Sequence, residues 1–258
     1  SVPRPKTRRL AQGRGTYVDD IVLPRMTHAA FVRSPHAHAR ITSIDVAKAK
    51  AAPGVIAVVT GAELAERHTP WVGVLTHLEG LKSAPQYAMP VDCARWQGEA
   101  VVAVVAERRE QAEDGAAMVA IEYLPLDPVT DMETAIDAST PVIHAELGDN
   151  LAWRREFSAG DTDAAFAASD TVVEETFDFG RHTGVTLEAR AILADYDPSE
   201  EQLTVHLSGQ APHMMQGIYA EHFGLEDHKV RVICKDVGGS FGIKVHTYAD
   251  EMATVGLS

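Results

Sequence analysis

The sequence predicts an α+β protein of two domains, and three observations carry that reading. A strand–helix–strand text runs from Glu99 to Tyr123, residues 129–150 are poor in apolar side chains, and a hairpin text followed by a Pro-started helix fills Leu187 to Phe223. At 258 residues the chain suits one large domain or two of ordinary size. Apolar residues make up 45% and charged residues 23%, the balance of a soluble globular protein with a substantial core.

Residues 1–12 form a basic, Pro-containing arm. Arg4, Lys6, Arg8, Arg9 and Arg14 lie within residues 1–14 without one acid, which suits an acidic partner subunit or plain solvation. A first domain follows over 13–128. Residues 13–20 read as a turn and a short extended piece, Met26 to Arg33 as a strand broken by Ser34-Pro35, and Ala39 to Ile44 as a second strand. Asp45 caps a short helix to Lys50, stopped by Pro53-Gly54, and Val55 to Thr60 is a continuously apolar strand. Thr69 to Pro90 is irregular. Glu99 to Ala106 reads as a buried strand, Arg109 to Met118 as an Ala-rich helix, and Val119 to Tyr123 as a strand closed by Pro125 and Pro128, together a β–α–β text.

Residues 129–150 make a linker, and a second domain occupies 151–258. Trp153 to Phe157 is extended, Asp161 to Ala168 a capped helix, and Thr171 to Phe179 alternates like a long half-exposed strand. Leu187 to Tyr196 and Leu203 to Ser208 form a hairpin across Asp197-Pro198-Ser199-Glu200. Pro212 starts a helix to Phe223 that Gly224 ends, and Val230 to Cys234 is a strand. Tyr248 to Ser258, with Ala249, Met252, Ala253 and Leu257, reads as a helix cut off while still apolar, so the second domain is expected to be completed by residues outside this chain.

A net charge of −14 argues against nucleic acid, whose phosphates demand an excess of Lys and Arg. Apolar runs all fall short of the roughly 18 residues of a membrane span. The first residues lack the apolar core of an export signal. Cys93 and Cys234 are far apart and form no C-x-x-C pair, which excludes an iron–sulfur or zinc framework here and suits a reducing compartment, the cytoplasm.

The chemistry centres on DVGGSFGIK at 236–244, between a strand and a helix. Three glycines around Phe241 permit positive φ and close approach of bare backbone to another group, and successive N–H groups in such a turn converge on an anion or an oxo group; a tight surface turn is the plainer alternative. Neither the P-loop nor the G-x-G-x-x-G spacing is present. Gln210 stands where a strand meets a helix, a place where ligands collect in α/β sheets. His36 and His38 share a strand face but lack further ligands at useful spacing, and His182, His213 and His246 read as structural or surface groups. A serine hydrolase would need a G-x-S-x-G elbow, which is missing. Glu188 is the one acid in an apolar setting, where burial would raise its pKa or a salt bridge would hold it.

Taken together these segments resemble the molybdopterin-binding large subunit of the xanthine oxidase / aldehyde oxidase family of molybdenum hydroxylases. GRGTYVDD at 13–20, RSPHAHARI at 33–41, APGVI at 52–56, GEAVVAVV at 98–105, SGQAPH at 208–213 and DVGGSFGIK at 236–244 carry the resemblance in collinear order. It implies an α/β-hammerhead domain followed by the first part of a mixed α/β molybdopterin-binding domain. By the resemblance, Gln210 matches the glutamine whose amide approaches the oxygen ligands of molybdenum. Gly239, Ser240, Phe241 and Gly242 match the loop whose backbone lies against the cofactor and substrate pocket. No direct metal ligand and no catalytic base falls in this chain, because the family's glutamate base lies downstream.

The resemblance further implies a molybdenum–molybdopterin cofactor shared with the rest of the subunit, and iron–sulfur and FAD partners that take up electrons. Two departures stand out. Ser240 replaces the usual third glycine, and Val245 stands where purine-oxidising members carry a glutamate, which favours an aldehyde, an aromatic heterocycle or another small carbon substrate. The expected activity is hydroxylation with water as oxygen source, by a multi-subunit enzyme of which this chain alone is inactive. The alternative is a scaffold of the same fold without cofactor.

Overall fold

The length of the valine run and the alternation around it decide which strand is central in the first half. In the computed structural model, which describes Val2, residues 5–73 and residues 77–258, the elements of that half are α1 (Thr7–Ala11), β1 (His28–Arg33), β2 (Ala39–Asp45), α2 (Ala47–Lys50), β3 (Val55–Thr60), α3 (Gly61–Ala65), β4 (Cys93–Ala94), β5 (Ala100–Ala106), α4 (Arg109–Ala117) and β6 (Ala120–Pro125). Arg4 of the basic arm and residues 74–76 of the irregular stretch lie outside the described residues. β5 is buried at every position but Val105 and lies between β1 and β3, antiparallel to both. The second sheet runs β4-β2-β6, also antiparallel.

The β–α–β text at 99–123 is therefore corrected. Its two strands belong to different sheets, and α4 is a bridge packed on β1 and β5 rather than a crossover within one sheet. Alternation and length mark a strand but do not choose its partner. α3 was legible and not read: Thr60 and Glu63 make a reciprocal capping box, with the Glu63 carboxylate accepting from Thr60 N at 2.7 Å.

The second half contains α5 (Thr162–Ala168), β7 (Ile192–Asp197), β8 (Gln202–Leu207), α6 (Pro212–Phe223), β9 (Val230–Ile233) and α7 (Ala249–Leu257). β7 and β8 form the expected hairpin, shorter than its sequence text, and β9 adds parallel to β8. β8, α6 and β9 are thus the β–α–β unit of the chain. Gly224 ends α6 at φ 67°, as the sequence anticipates.

On either side of α5 the chain from 151 to 191 is extended and mostly exposed, and among the described residues it pairs with no strand. The expected strand over 171–179 forms no ladder. Val172 on one face and Phe177 and Phe179 on the other are 57%, 90% and 82% exposed, so neither face of that segment is covered. An unpaired segment leaves its amides to water, and side-chain alternation alone cannot supply a neighbour.

One core joins the two halves. Leu64, Trp71, Met89 and Ala103 pack in the same cluster as Leu203, Val205, Tyr219, Met252 and Val255. Thr69 N donates to His222 O at 2.9 Å, fastening the irregular stretch to α6. Gly61 opens α3 against the carbonyl of Pro90, where a Cβ would come within 2.1 Å of the oxygen. Gly61→Ala must move backbone, and the expected cost is about 1–3 kcal/mol, read as a lowered midpoint in urea unfolding. An unchanged midpoint would show that the Pro90 segment yields freely.

Candidate functional site

Because β8 and β9 are parallel neighbours, their C-terminal ends lie side by side. Gln210 follows β8 and the glycine loop 236–244 follows β9, so the sheet itself brings the two sequence motifs together. Gln210 is bracketed by Lys244. Gln210 N donates to Lys244 O at 3.1 Å, and Lys244 N donates to Gln210 Oε1 at 3.3 Å. An N–H at that end of the amide requires the oxygen there, which turns Nε2 outward. Among the described residues Nε2 has no hydrogen-bond partner, and Gln210 is exposed.

The loop is shaped by its glycines at two kinds of place. Gly238 needs to be bare because a Cβ would meet Glu188 Cβ at 2.5 Å. Gly239 and Gly242 adopt φ of 99° and 89°, and Gly242 faces open space. Phe241 sits between them at φ 46° and is 76% exposed. Gly239 and Ser240 are half-buried, and Ser240 O accepts from Ile243 N at 2.9 Å.

Beneath the loop lies a buried ionic cluster. The Lys244 ammonium, with its side chain fully buried, donates to Ser208 Oγ at 2.7 Å and lies 3.1 Å from Glu188 Oε2. Oε2 also accepts from Ser208 Oγ at 2.7 Å and Gly238 N at 2.6 Å, and Glu188 N donates to Gly238 O at 3.2 Å. Burial pushes the Glu188 carboxyl up, but the Gly238 amide, the Ser208 hydroxyl and the Lys244 ammonium outweigh it and hold the group below the usual carboxylate range. Of the two expectations for Glu188, the salt bridge holds and the raised pKa does not. Sequence reasoning missed Lys244 as an interior cation; its only signal was a lysine closing an otherwise apolar and glycine-rich motif.

A second brace holds the far end of the loop. Tyr248 Oη donates to Ile243 O, and the Arg190 guanidinium stacks 3.9 Å above the Tyr248 ring. Arg190 also donates to Asp250 Oδ1 and Glu251 Oε1 at 2.8 and 2.9 Å, and Arg33 of the first half reaches Asp250 Oδ2 at 3.0 Å. Burial pushes Glu251 up to about 7 despite Arg190, whereas the two arginines hold Asp250 low against its burial.

The near end is clipped by the basic arm. Arg9 donates to Asp236 Oδ1, and Thr16 N donates to Asp236 Oδ2 at 2.8 Å. The arm's described acidic contact is therefore in its own chain. The other candidate residues lie apart: the His36 ring meets Tyr123 edge-on, and His38 Nδ1 lies 2.9 Å from Asp127 O. Among the described residues no three His, Cys, Asp or Glu side chains group closely enough to hold a metal ion. Two surface cavities lie elsewhere, one lined by Tyr196, Phe223 and Val255 and the other by Arg8, Gln12 and Arg14, while Gln210 and Phe241 are themselves exposed.

Comparison with known proteins gives this geometry its class. The aldehyde oxidase and xanthine dehydrogenase a/b hammerhead domain matches residues 12–127, and the molybdopterin cofactor-binding domain matches residues 143–258. The nicotine 6-hydroxylase large subunit of Paenarthrobacter nicotinovorans is 38% identical over 97% of this chain and 30% of its own length. The carbon monoxide dehydrogenase large chain of Afipia carboxidovorans is 35% identical over 96% of this chain and 31% of its own. Quinoline 2-oxidoreductase from Pseudomonas putida 86 superposes with a TM-score of 0.92 at 36% identity, over 98% of this chain and 32% of that one.

The protein is thus a mixed α/β chain with a hammerhead domain and a molybdopterin-binding domain. It belongs to the xanthine oxidase / aldehyde oxidase family of molybdenum hydroxylases, and it spans under a third of the length of these relatives.

Arg9 and the Thr16 amide hold the Asp236 carboxyl down at about 2, below its ordinary 3.8. A depressed acid stabilises the folded state above its ordinary value, and that contribution is lost as pH falls through about 2. In a carboxylate NMR titration Asp236 should therefore stay ionised to near pH 2, and an inflection near 4 would show an unclipped arm. Asp236→Asn should expose the arm to trypsin after Arg9 and Arg14 at neutral pH.

Proposed function

We propose that this chain is the cofactor-facing part of a molybdenum hydroxylase acting on an N-heteroaromatic or an aldehyde, in which residues beyond it complete the pocket. The observation that carries the reading is the Gln210 amide, its oxygen tied to Lys244 N and its nitrogen turned out beside exposed loop backbone. The residues fit a molybdenum–molybdopterin group. Nε2 is an uncommitted donor, and no atom lies within 4 Å of where a Gly242 Cβ would project, so a large polar group can approach the main chain. When bound, the cofactor supplies the two-electron oxidation: a C–H bond and water become C–OH, two protons and two electrons. Iron–sulfur and flavin partners accept the electrons.

What this chain contributes is placement. Gln210 would donate toward the cofactor, and the backbone of Gly239, Ser240, Phe241 and Gly242 would line the cofactor and substrate side. Phe241 offers an apolar edge to a planar substrate, and Val245 withholds the charge a purine would use. The nicotine and quinoline relatives support a heteroaromatic substrate. The division into an arm over 1–12, a hammerhead domain over 13–128, a linker over 129–150 and a cofactor-binding part over 151–258 belongs to the same reading. So does a cytoplasmic location, which the free thiols of Cys93 and Cys234 suit.

The acids at the loop are engaged, Asp236 by Arg9 and Glu188 by Lys244, so among the described residues no free base stands there and the chain should show no turnover by itself. The assembled enzyme should contain molybdenum and pterin, and Gln210→Ala should slow it roughly 10- to 100-fold without lowering its melting temperature. Purified complex with neither molybdenum nor pterin would instead identify a scaffold of the same fold. Unchanged turnover in Gln210→Ala would remove that residue from the site.

A further inference from the structure

We propose that Lys244 and Glu188 are positioning residues that aim the Gln210 amide, acting through one shared carboxylate oxygen. The inference rests on the reading that Gln210 faces the cofactor. Lys244 acts at two levels. Its main chain grips Gln210 at both N and Oε1, at 3.1 and 3.3 Å. Its ammonium points inward, to Ser208 Oγ at 2.7 Å and Glu188 Oε2 at 3.1 Å.

Glu188 Oε2 gathers the rest. It accepts from Gly238 N near the start of the loop, from Lys244 at its end, and from Ser208 just before Gln210. Both ends of the loop and the strand end that carries Gln210 therefore converge on a single atom. The amide itself is exposed and, among the described residues, hydrogen-bonds to none of these side chains, so the bracket from Lys244 fixes which of its atoms faces out. A freed Lys244 backbone would let the amide rotate and present Oε1 as often as Nε2.

A fully buried ammonium and a part-buried carboxylate are costly partners, and apolar residues would fasten strands at least as well. What the pair supplies that methyl groups cannot is directional donors, which set the loop's register against β8 to within a hydrogen bond's tolerance.

The test uses the assembled, cofactor-loaded enzyme and the variants Lys244→Met and Glu188→Gln. Each should lower kcat roughly 10- to 100-fold, as loss of supporting hydrogen bonds does, with KM and molybdenum content close to the parent. In a Gln210→Ala background the same changes should cause no further loss, since the amide they aim is gone. Hydrogen exchange should quicken in a peptide spanning 236–247 and stay unchanged in β7 and β8.

Multiplying losses in the Gln210→Ala background, or faster exchange throughout β7, β8 and β9, would assign the pair to stability and overturn the proposal. A variant that fails to accumulate counts the same way. The parent reading fails separately, when Gln210→Ala by itself leaves turnover unchanged.

Discussion

The ion pair between Lys244 and Glu188 is the constraint on which the exposed surface depends. Gln210, Phe241 and Gly242 are all exposed, and a glycine loop in water has many conformations of similar energy. Order is imposed from below, where the ammonium is fully buried and the carboxylate part-buried. Breaking one partner of such a pair leaves a charge stranded without water, so the arrangement resists partial loosening. The brace at Tyr248 and the clip at Asp236 then settle the two flanks. The loop is thus held at three places by three different chemistries: a buried salt bridge, an aromatic ring under a guanidinium, and a half-exposed ion pair.

The same networks tie the halves of the chain together. Asp250 receives Arg190, just ahead of β7, and Arg33 from β1, so one carboxylate belongs to both halves. Beneath it a continuous apolar cluster runs from Leu64 and Trp71 to Tyr219 and Met252. The irregular stretch around Trp71 is what makes this possible. It has no pattern of its own, yet its large side chain is 3% exposed and joins the core.

Much of the secondary structure was legible because it is written locally: the valine run of β5, the Pro start and Gly stop of α6, the turn residues between β7 and β8. Pairing was not. The 99–123 text looks like a crossover and is not one, because which sheet a strand joins depends on residues more than forty positions away. Gln210 and the loop were visible as motifs, and the parallel pairing of β8 with β9 explains why they meet. Lys244 was invisible as an interior charge, since a lysine on a turn is ordinarily solvated and only the depth of Ser208 and Glu188 beneath it shows otherwise. The 171–179 segment failed for the opposite reason: its alternation is real, and the described chain lays nothing alongside it.

The Arg9–Asp236 contact spans 227 positions, from near the first residues of the chain to the threshold of the glycine loop. A ribosome releases the arm long before its carboxylate exists, so this tie must wait until the 227 positions that separate the two have been made. A bulky group attached at Lys6, whose ammonium lies 3.5 Å from the Lys235 carbonyl, would sit beside the loop, and crowding there would be felt at Gly238.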